Sequence, residues 1–239
     1  MRVILQPAFI LHSRPYRDTS LIVDLLTKDY GRITAVARGV RTSKSKLKAI
    51  LQPFVPLLVS WQGKSELMTL STAEGQGSSF WLQGECLLSA FYLNELLVRL
   101  LHKNDAHPKL YTIYYETLIE LQHNTLQQKT LRIFEKKLLE ELGYGLQLQY
   151  DIPEGRPLNT DSSYRFLPEQ GFELLTEQNN AAQSRVFLGK SLLALAFENL
   201  EDPDVLRDAK RLMRLAFAPL LGSQPLHSRK LFIEVQSEK

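Results

Sequence analysis

A chain of 239 residues, 44% apolar and 23% charged, can bury a real core and fits one large domain or two smaller ones. Its single cysteine, Cys86, excludes an intramolecular disulfide and a cysteine-based zinc cluster, and no window approaches the roughly 20 apolar residues of a membrane span. The net charge of +3 is uneven: residues 1–80 carry +6 and residues 81–239 carry −3. The opening MRVILQPAFILHSRPY lacks the apolar stretch of a signal peptide, so a cytoplasmic protein is expected.

The first 80 residues read as strands. Pro7–His12, Ser20–Thr27, Arg32–Val40, Pro53–Gln62 and Glu66–Ala73 are rich in Val, Ile, Leu, Phe and Thr and are separated by turn formers. In the third, Ile33, Ala35 and Ala37 alternate with Arg32, Thr34, Val36 and Arg38, which predicts one buried and one outward face. Five short strands predict a small closed barrel of the OB type, with an SH3-like barrel as the other topology of that strand count.

From Gly84 the apolar period becomes helical. Glu85–His102, Pro108–Gln122, Lys129–Leu142 and Gly189–Asn199 are predicted helices, and Asp202-Pro203 caps a last one reaching about Ala218. Residues 147–171 read as an irregular excursion, with three prolines between Asp151 and Glu169. Strands followed by helices predict an α+β chain, with an OB-fold domain over 1–80 and a mainly α-helical domain over 81–239.

The densest chemistry is the run GRITAVARGVRTSKSKLK. Lys28, Arg32, Arg38, Arg41, Lys44, Lys46 and Lys48 face one acid, Asp29, over 21 positions. Unpaired charges of that density cannot be packed inside, so they stand in water or against a polyanion. They suit the phosphate backbone of a nucleic acid, and they also fit a solvated, solubilising loop. His12, Arg14, Tyr16 and Arg17 form a second cluster able to stack on unpaired bases, with a local Arg17–Asp18 surface pair as the plainer reading. Trp61, near the end of the fourth strand, reads as a barrel-end core residue, with a base-stacking platform as the other reading. Arg207, Lys210, Arg211 and Arg214 make a basic helix face, much of which Asp204 and Asp208 can neutralise.

Catalytic patterns are poor. The histidines (His12, His102, His107, His123, His227) have no metal-ligand spacing, and the two Gly-Lys-Ser strings have Leu58 and Ser184 where a phosphate loop needs glycine. No enzyme activity, cofactor or metal is expected.

Several strings, in order, resemble the bacterial recombination mediator (DNA repair) family RecO across essentially the whole chain. They are AFILHSRPYRDTSLIVDLLTKDYGRITAVARGVR, SKSKLKAILQPFVPLLVSWQGKSELMTL, FYLNELLVRLL, LRIFEKKLLEELGYG and PLHSRKLF. The resemblance implies an N-terminal OB-fold, binding of single- and double-stranded DNA, and annealing of complementary strands coated with single-stranded DNA-binding protein (SSB). It also implies help, together with RecR, in loading RecA. With DNA as the implied polyanion, the basic residues read above, Arg14, Arg17, Arg32, Arg38, Arg41, Lys44, Lys46 and Lys48, are the expected contacts. Arg132, with Leu131 and Phe134, is assigned to a pocket for the acidic C-terminal tail of SSB; the plainer readings are an exposed helical charge beside Glu135 for Arg132 and the helix's buried stripe for Leu131 and Phe134. Some members hold zinc on four cysteines after LGYG, but residues 147–171 here have none. Packing of Tyr150, Tyr164, Phe166 and Phe172 is the expected substitute. An RNA-binding OB protein remains the alternative, since phosphate contacts do not distinguish sugars.

Overall fold

The structure is a computed structural model that describes residues 1–123, 127–152, 154–176 and 182–228. Strands β1 (Arg2–Tyr16), β2 (Ser20–Thr27), β3 (Gly31–Ala37), β4 (Leu57–Gln62) and β5 (Leu67–Gly75) close into a barrel, with a one-turn helix α1 (Leu47–Ile50) between β3 and β4. The strand order is β1-β2-β3-β5-β4, with β1 pairing back onto β4. Only β3 and β5 run parallel. This is the OB-like barrel the strand count predicts.

The alternation in β3 holds: Ile33, Ala35 and Ala37 enter the barrel interior with Val23, Leu25, Val59 and Trp61. Strand β1 starts five residues earlier than expected. Its first stretch carries a register shift between Val3 and Gln6, with Leu5 at φ 50° and its N–H bonded to Ser60 Oγ at 3.1 Å. Such an irregular segment has no period-2 signature to read.

Helices α2 (Gly84–Leu100) and α3 (Pro108–Gln122) belong with the barrel in one compact unit, residues 1–124 together with 225–239. They cover the outer side of β1 and β2. Phe9, at the centre of β1, packs its ring on Tyr111, Tyr114 and Tyr115 of α3. Burial, with Tyr115 beside it, pushes the Tyr111 hydroxyl up to about 12. A second register shift in β1, between Ile10 and His12, leaves carbonyls turned out of the ladder. Asn94 of α2 takes them: its Nδ2 donates to Leu11 O at 3.0 Å and Ile10 O at 3.4 Å, while Tyr114 OH donates to Asn94 Oδ1 at 2.6 Å. All of this is buried. At the far end of the β2–β3 hairpin, Gly31 (φ 66°) is irreplaceable, since a Cβ there would lie 1.7 Å from Asp105 O.

The second unit, residues 125–224, holds α4 (Gln127–Glu141), β6 (Ser163–Leu167), β7 (Gly171–Leu174), β8 (Val186–Leu188), α5 (Gly189–Ala196) and α6 (Pro203–Leu221). The strands form a small sheet in the order β7-β6-β8, which the sequence reading did not anticipate. The excursion thus ends in β6. Its first part is a turn closed by buried Asp151, which accepts from Arg156 N at 2.7 Å and from the Arg156 guanidinium at 3.2 Å. Tyr164, Phe166 and Phe172 are buried as expected, with Phe166 and Phe172 5.3 Å apart; Tyr150 is exposed instead.

After the second unit the chain returns to α2. Glu95 accepts from His227 N (2.8 Å), Ser228 N (2.9 Å) and Ser228 Oγ (2.6 Å). Burial alone would raise this carboxyl, but the Ser228 hydroxyl and the two amides outweigh it and hold it below its ordinary value.

Two outcomes follow. Asn94→Ala leaves the Tyr114 hydroxyl and two carbonyls buried without a partner, and should lower unfolding stability by about 2–3 kcal/mol in a denaturant titration. Glu95→Gln should destabilise by about 1–2 kcal/mol at pH 7. Because the folded pKa is depressed, that stabilisation is present above the unfolded carboxylate value and is lost as pH falls through the folded one, so wild type and variant should converge only once pH is below the folded carboxyl's lowered value. Amide exchange at residues 226–228 reports the release directly.

Candidate nucleic-acid interface

The chain between β3 and β4 is pinned from below by apolar residues. Val40 and Leu51 are fully buried in the barrel core, and Leu47 and Ile50, on the inner side of α1, pack against it. Gly39 (φ 69°) starts a turn in which Thr42 N and Thr42 Oγ1 both donate to Gly39 O. Arg38, Arg41, Lys44, Lys46 and Lys48 are all exposed above this floor. The loop is therefore a cap with a charged roof, held in place by local bonds. Sequence reasoning missed the floor, although the apolar positions 40, 47, 50 and 51 were there to be read.

Arg41 joins the loop to the β1–β2 turn. Its N–H donates to Thr19 O at 2.9 Å and its Nη1 to Arg17 O at 3.1 Å. Register places Tyr16 opposite Ser20, and Leu21 opposite Ala37, so the ends of β1 and β3 meet at this corner. Exposed Arg14 and Arg17 therefore stand at the same end of the barrel as Arg38 and Arg41. The Arg17 guanidinium lies 5.2 Å from the centroid of the Tyr16 ring. Arg17 has φ 51°, the left-handed region, which turns its carbonyl toward Arg41. Among the described residues no acid pairs with Arg14, Arg17, Arg38, Arg41, Lys44, Lys46 or Lys48, and the local Arg17–Asp18 pair does not form. Seven cations so gathered hold a strong positive potential, to which a phosphate chain is the complementary surface.

Arg32 stands apart. It pairs in register with Leu26, five positions along β3 from Ala37 and so roughly 16 Å away. Its side chain is 14% exposed and its Nη1 lies 3.8 Å from Asp24 Oδ1, which also accepts from Thr34 Oγ1 at 2.7 Å. His12 Nδ1 lies 3.9 Å from the same carboxylate. The positive charge of Arg32 is thus locally answered, and it does not join the corner that gathers the other seven. Trp61 is a barrel core residue, edge-on to Tyr30 at 5.3 Å.

The second unit treats its cations differently. Arg132 is buried rather than exposed, with its Nη2 2.9 Å from Glu135 Oε1 and the pair's side chains 6% and 1% exposed. Its Nε has no hydrogen-bond partner among the described residues. Leu131 and Phe134 are buried beside it on α4. On α6, Arg207 pairs with Asp204 and Arg211 with Asp208, each at 2.8 Å. Arg211 also donates to Gln183 O and Val186 O and lies over the Phe187 ring, so it fastens α6 to β8. Among the described residues no three His, Cys, Asp or Glu gather as metal ligands, and the turn closed by Asp151 and Arg156 offers no thiolate to zinc.

Comparison with known proteins covers nearly the whole chain, and the two family models divide it before α2 rather than at the boundary of the compact units. Residues 1–78 match the family model described as Recombination protein O N terminal, and residues 83–230 match Recombination protein O C terminal. The chain is 49% identical over 230 residues to a protein of Coxiella burnetii named DNA repair protein RecO, covering 96% of this chain and 98% of that one. Proteins of the same name from Nitrosococcus oceani (46% over 237 residues, 99% and 95% covered) and Cellvibrio japonicus (48% over 233 residues, 97% and 98% covered) are similar over nearly their whole lengths.

If the corner holds phosphates, Lys44→Ala/Lys46→Ala/Lys48→Ala should weaken binding of a single-stranded oligonucleotide and flatten its log–log salt slope by about 2, at roughly 0.7 per lost contact. Arg32→Ala should leave that slope unchanged and lower thermal stability, because it removes the partner of a largely buried carboxylate. Anisotropy titrations at several salt concentrations measure the first, and a melting curve the second.

Proposed function

This chain belongs to the RecO family of DNA repair proteins, and from that we propose that it acts as a recombination mediator without turnover chemistry. It binds single- and double-stranded DNA at the Arg41-centred corner and anneals complementary strands, including strands coated with SSB. With RecR, it assists the loading of RecA. The observation that carries the DNA reading is the gathering of Arg14, Arg17, Arg38, Arg41, Lys44, Lys46 and Lys48 at one end of the barrel, with no acid among the described residues paired to any of them. Two strands held on one cationic surface lose much of their mutual phosphate repulsion, which favours pairing without an energy source. Tyr16, half-buried under the Arg17 guanidinium, supplies a ring edge on which an unpaired base can rest.

Recruitment to coated strands is assigned to Arg132, Leu131 and Phe134. The guanidinium already carries one carboxylate, that of Glu135, and its Nε is unpartnered. An acidic tail ending in a carboxylate exchanges for Glu135 and uses both edges of the group, while the neighbouring apolar side chains receive its aromatic residue.

The test is annealing of complementary oligonucleotides precoated with SSB, intact or lacking its acidic tail. Fast annealing that falls without the tail, and falls likewise in Arg132→Ala on intact SSB only, is the expected result. Annealing indifferent to the tail removes the Arg132 site and keeps the DNA reading. No annealing of coated or naked strands overturns the proposal.

A further inference from the structure

We propose that the second unit carries an unfinished strand edge at Gly145–Leu148 that accepts an extended peptide bearing an apolar side chain next to a lysine or arginine.

Three observations carry it. Past α4 the chain crosses residues 143–148 outside any helix or strand on its way to the Asp151 turn. Residues 149 and 151 are paired, since Leu158 N donates to Gln149 O (2.9 Å) and Asp151 N to Arg156 O (2.8 Å). No backbone N–H or C=O of Gly145, Leu146, Gln147 or Leu148 bonds another backbone group among the described residues. From the single bridge at Tyr150 and Pro157 the chain thus leads back into backbone without a partner, and such an open edge can template a strand.

The second observation is a cavity of about 400 Å³ beside this edge, lined by Tyr144, Leu146, Phe166, Pro168, Pro219 and Leu220 among others. Its lining is mostly apolar, and Tyr144 is 54% exposed at its mouth. Gly143 (φ 83°) borders it with open space where a Cβ would stand, so a partner backbone can come close. A side chain from an added strand, alternating toward this wall, has a place to go.

The third is charge. Glu140 lies along the edge, its Cγ 3.4 Å from where Gly145 would carry a Cβ, and Glu169 lines the cavity. Both are exposed, and neither has an ion-pair partner among the described residues. The nearby cation Lys136 is already held by Ala196 O at 2.9 Å and Glu198 Oε1 at 3.0 Å. The occupant that answers this arrangement is apolar and basic, the opposite in charge of an acidic tail. Neither Leu131, Arg132 nor Phe134 lines the cavity, so this inference does not rest on the function proposed above.

A displayed library of random linear peptides panned against the whole chain tests it. Enriched peptides should combine an aliphatic or aromatic residue with a neighbouring Lys or Arg. A synthetic peptide of that sequence should shift the amide resonances of residues 145–148. It should lose about tenfold in affinity when its apolar residue is N-methylated, and about tenfold against Glu140→Lys/Glu169→Lys. The proposal is overturned by an absence of enrichment, by enrichment of acidic peptides, or by equal binding to the charge-reversed variant. Should that variant fail to fold, the resonances of the unsubstituted chain decide: unmoved amides at 145–148 overturn the edge.

Discussion

The carboxamide of Asn94 organises the first unit. A β-bulge in β1 turns the carbonyls of Ile10 and Leu11 toward α2, and an unmet carbonyl in an apolar interface would cost about 1–3 kcal/mol. Asn94 meets both with one amide group and offers its oxygen to Tyr114 on α3, so strand, first helix and second helix share one buried network. Phe9, at the middle of the same strand, then has fixed partners in the three tyrosines of α3. The bulge also bends β1 at the point from which it carries Arg14 and Arg17 to the barrel corner. A defect in one ladder thus both fastens the helices and aims the cations.

The cationic corner depends on a different economy. Seven positive charges repel one another, and among the described residues no acid is paired with any of them. They stay together because the backbone beneath them is fixed by contacts that do not involve their charges: the apolar residues under the loop, and the bonds from Arg41 to the carbonyls of Arg17 and Thr19. A surface arranged this way is destabilised by its own field, and a bound polyanion would relieve that repulsion as well as make direct contacts.

The sequence showed the strands and helices well wherever one face is buried. Strand β2 and helix α3 fall at the expected residues, because their apolar positions repeat with a clear period and a turn former or a proline marks an end. It failed where tertiary partners decide. Ile4 and Leu5 are apolar yet exposed, so the start of β1 carries no pattern. The sheet of β6, β7 and β8 was hidden by its short strands and by the prolines around it, although Tyr164 and Phe166 alternate as a half-buried strand should. Among the candidate site residues, all eight basic positions of the barrel region look alike as letters. Only the antiparallel register of β2 on β3, which sets Asp24 opposite Thr34 and near Arg32, shows that one of them is already answered. The burial of Arg132 was likewise invisible, since Glu135 three residues later fits an exposed pair as well as a buried one.

The return of the chain to Glu95 bears on the order in which the molecule can be made. The first unit is discontinuous: the carboxylate on α2 and the amides that cap it are 132 and 133 positions apart, with the whole second unit between them. During synthesis the barrel, α2 and α3 emerge while Glu95 still lacks its donors, and residues 226–228 leave the ribosome only after α6. If the second unit folds before that, its compact ends replace a long flexible loop and lower the entropy of closure, which for an unfolded chain grows by about 0.6 kcal/mol with each doubling of length. The Glu95 contact therefore closes late, once the residues of the second unit have been made.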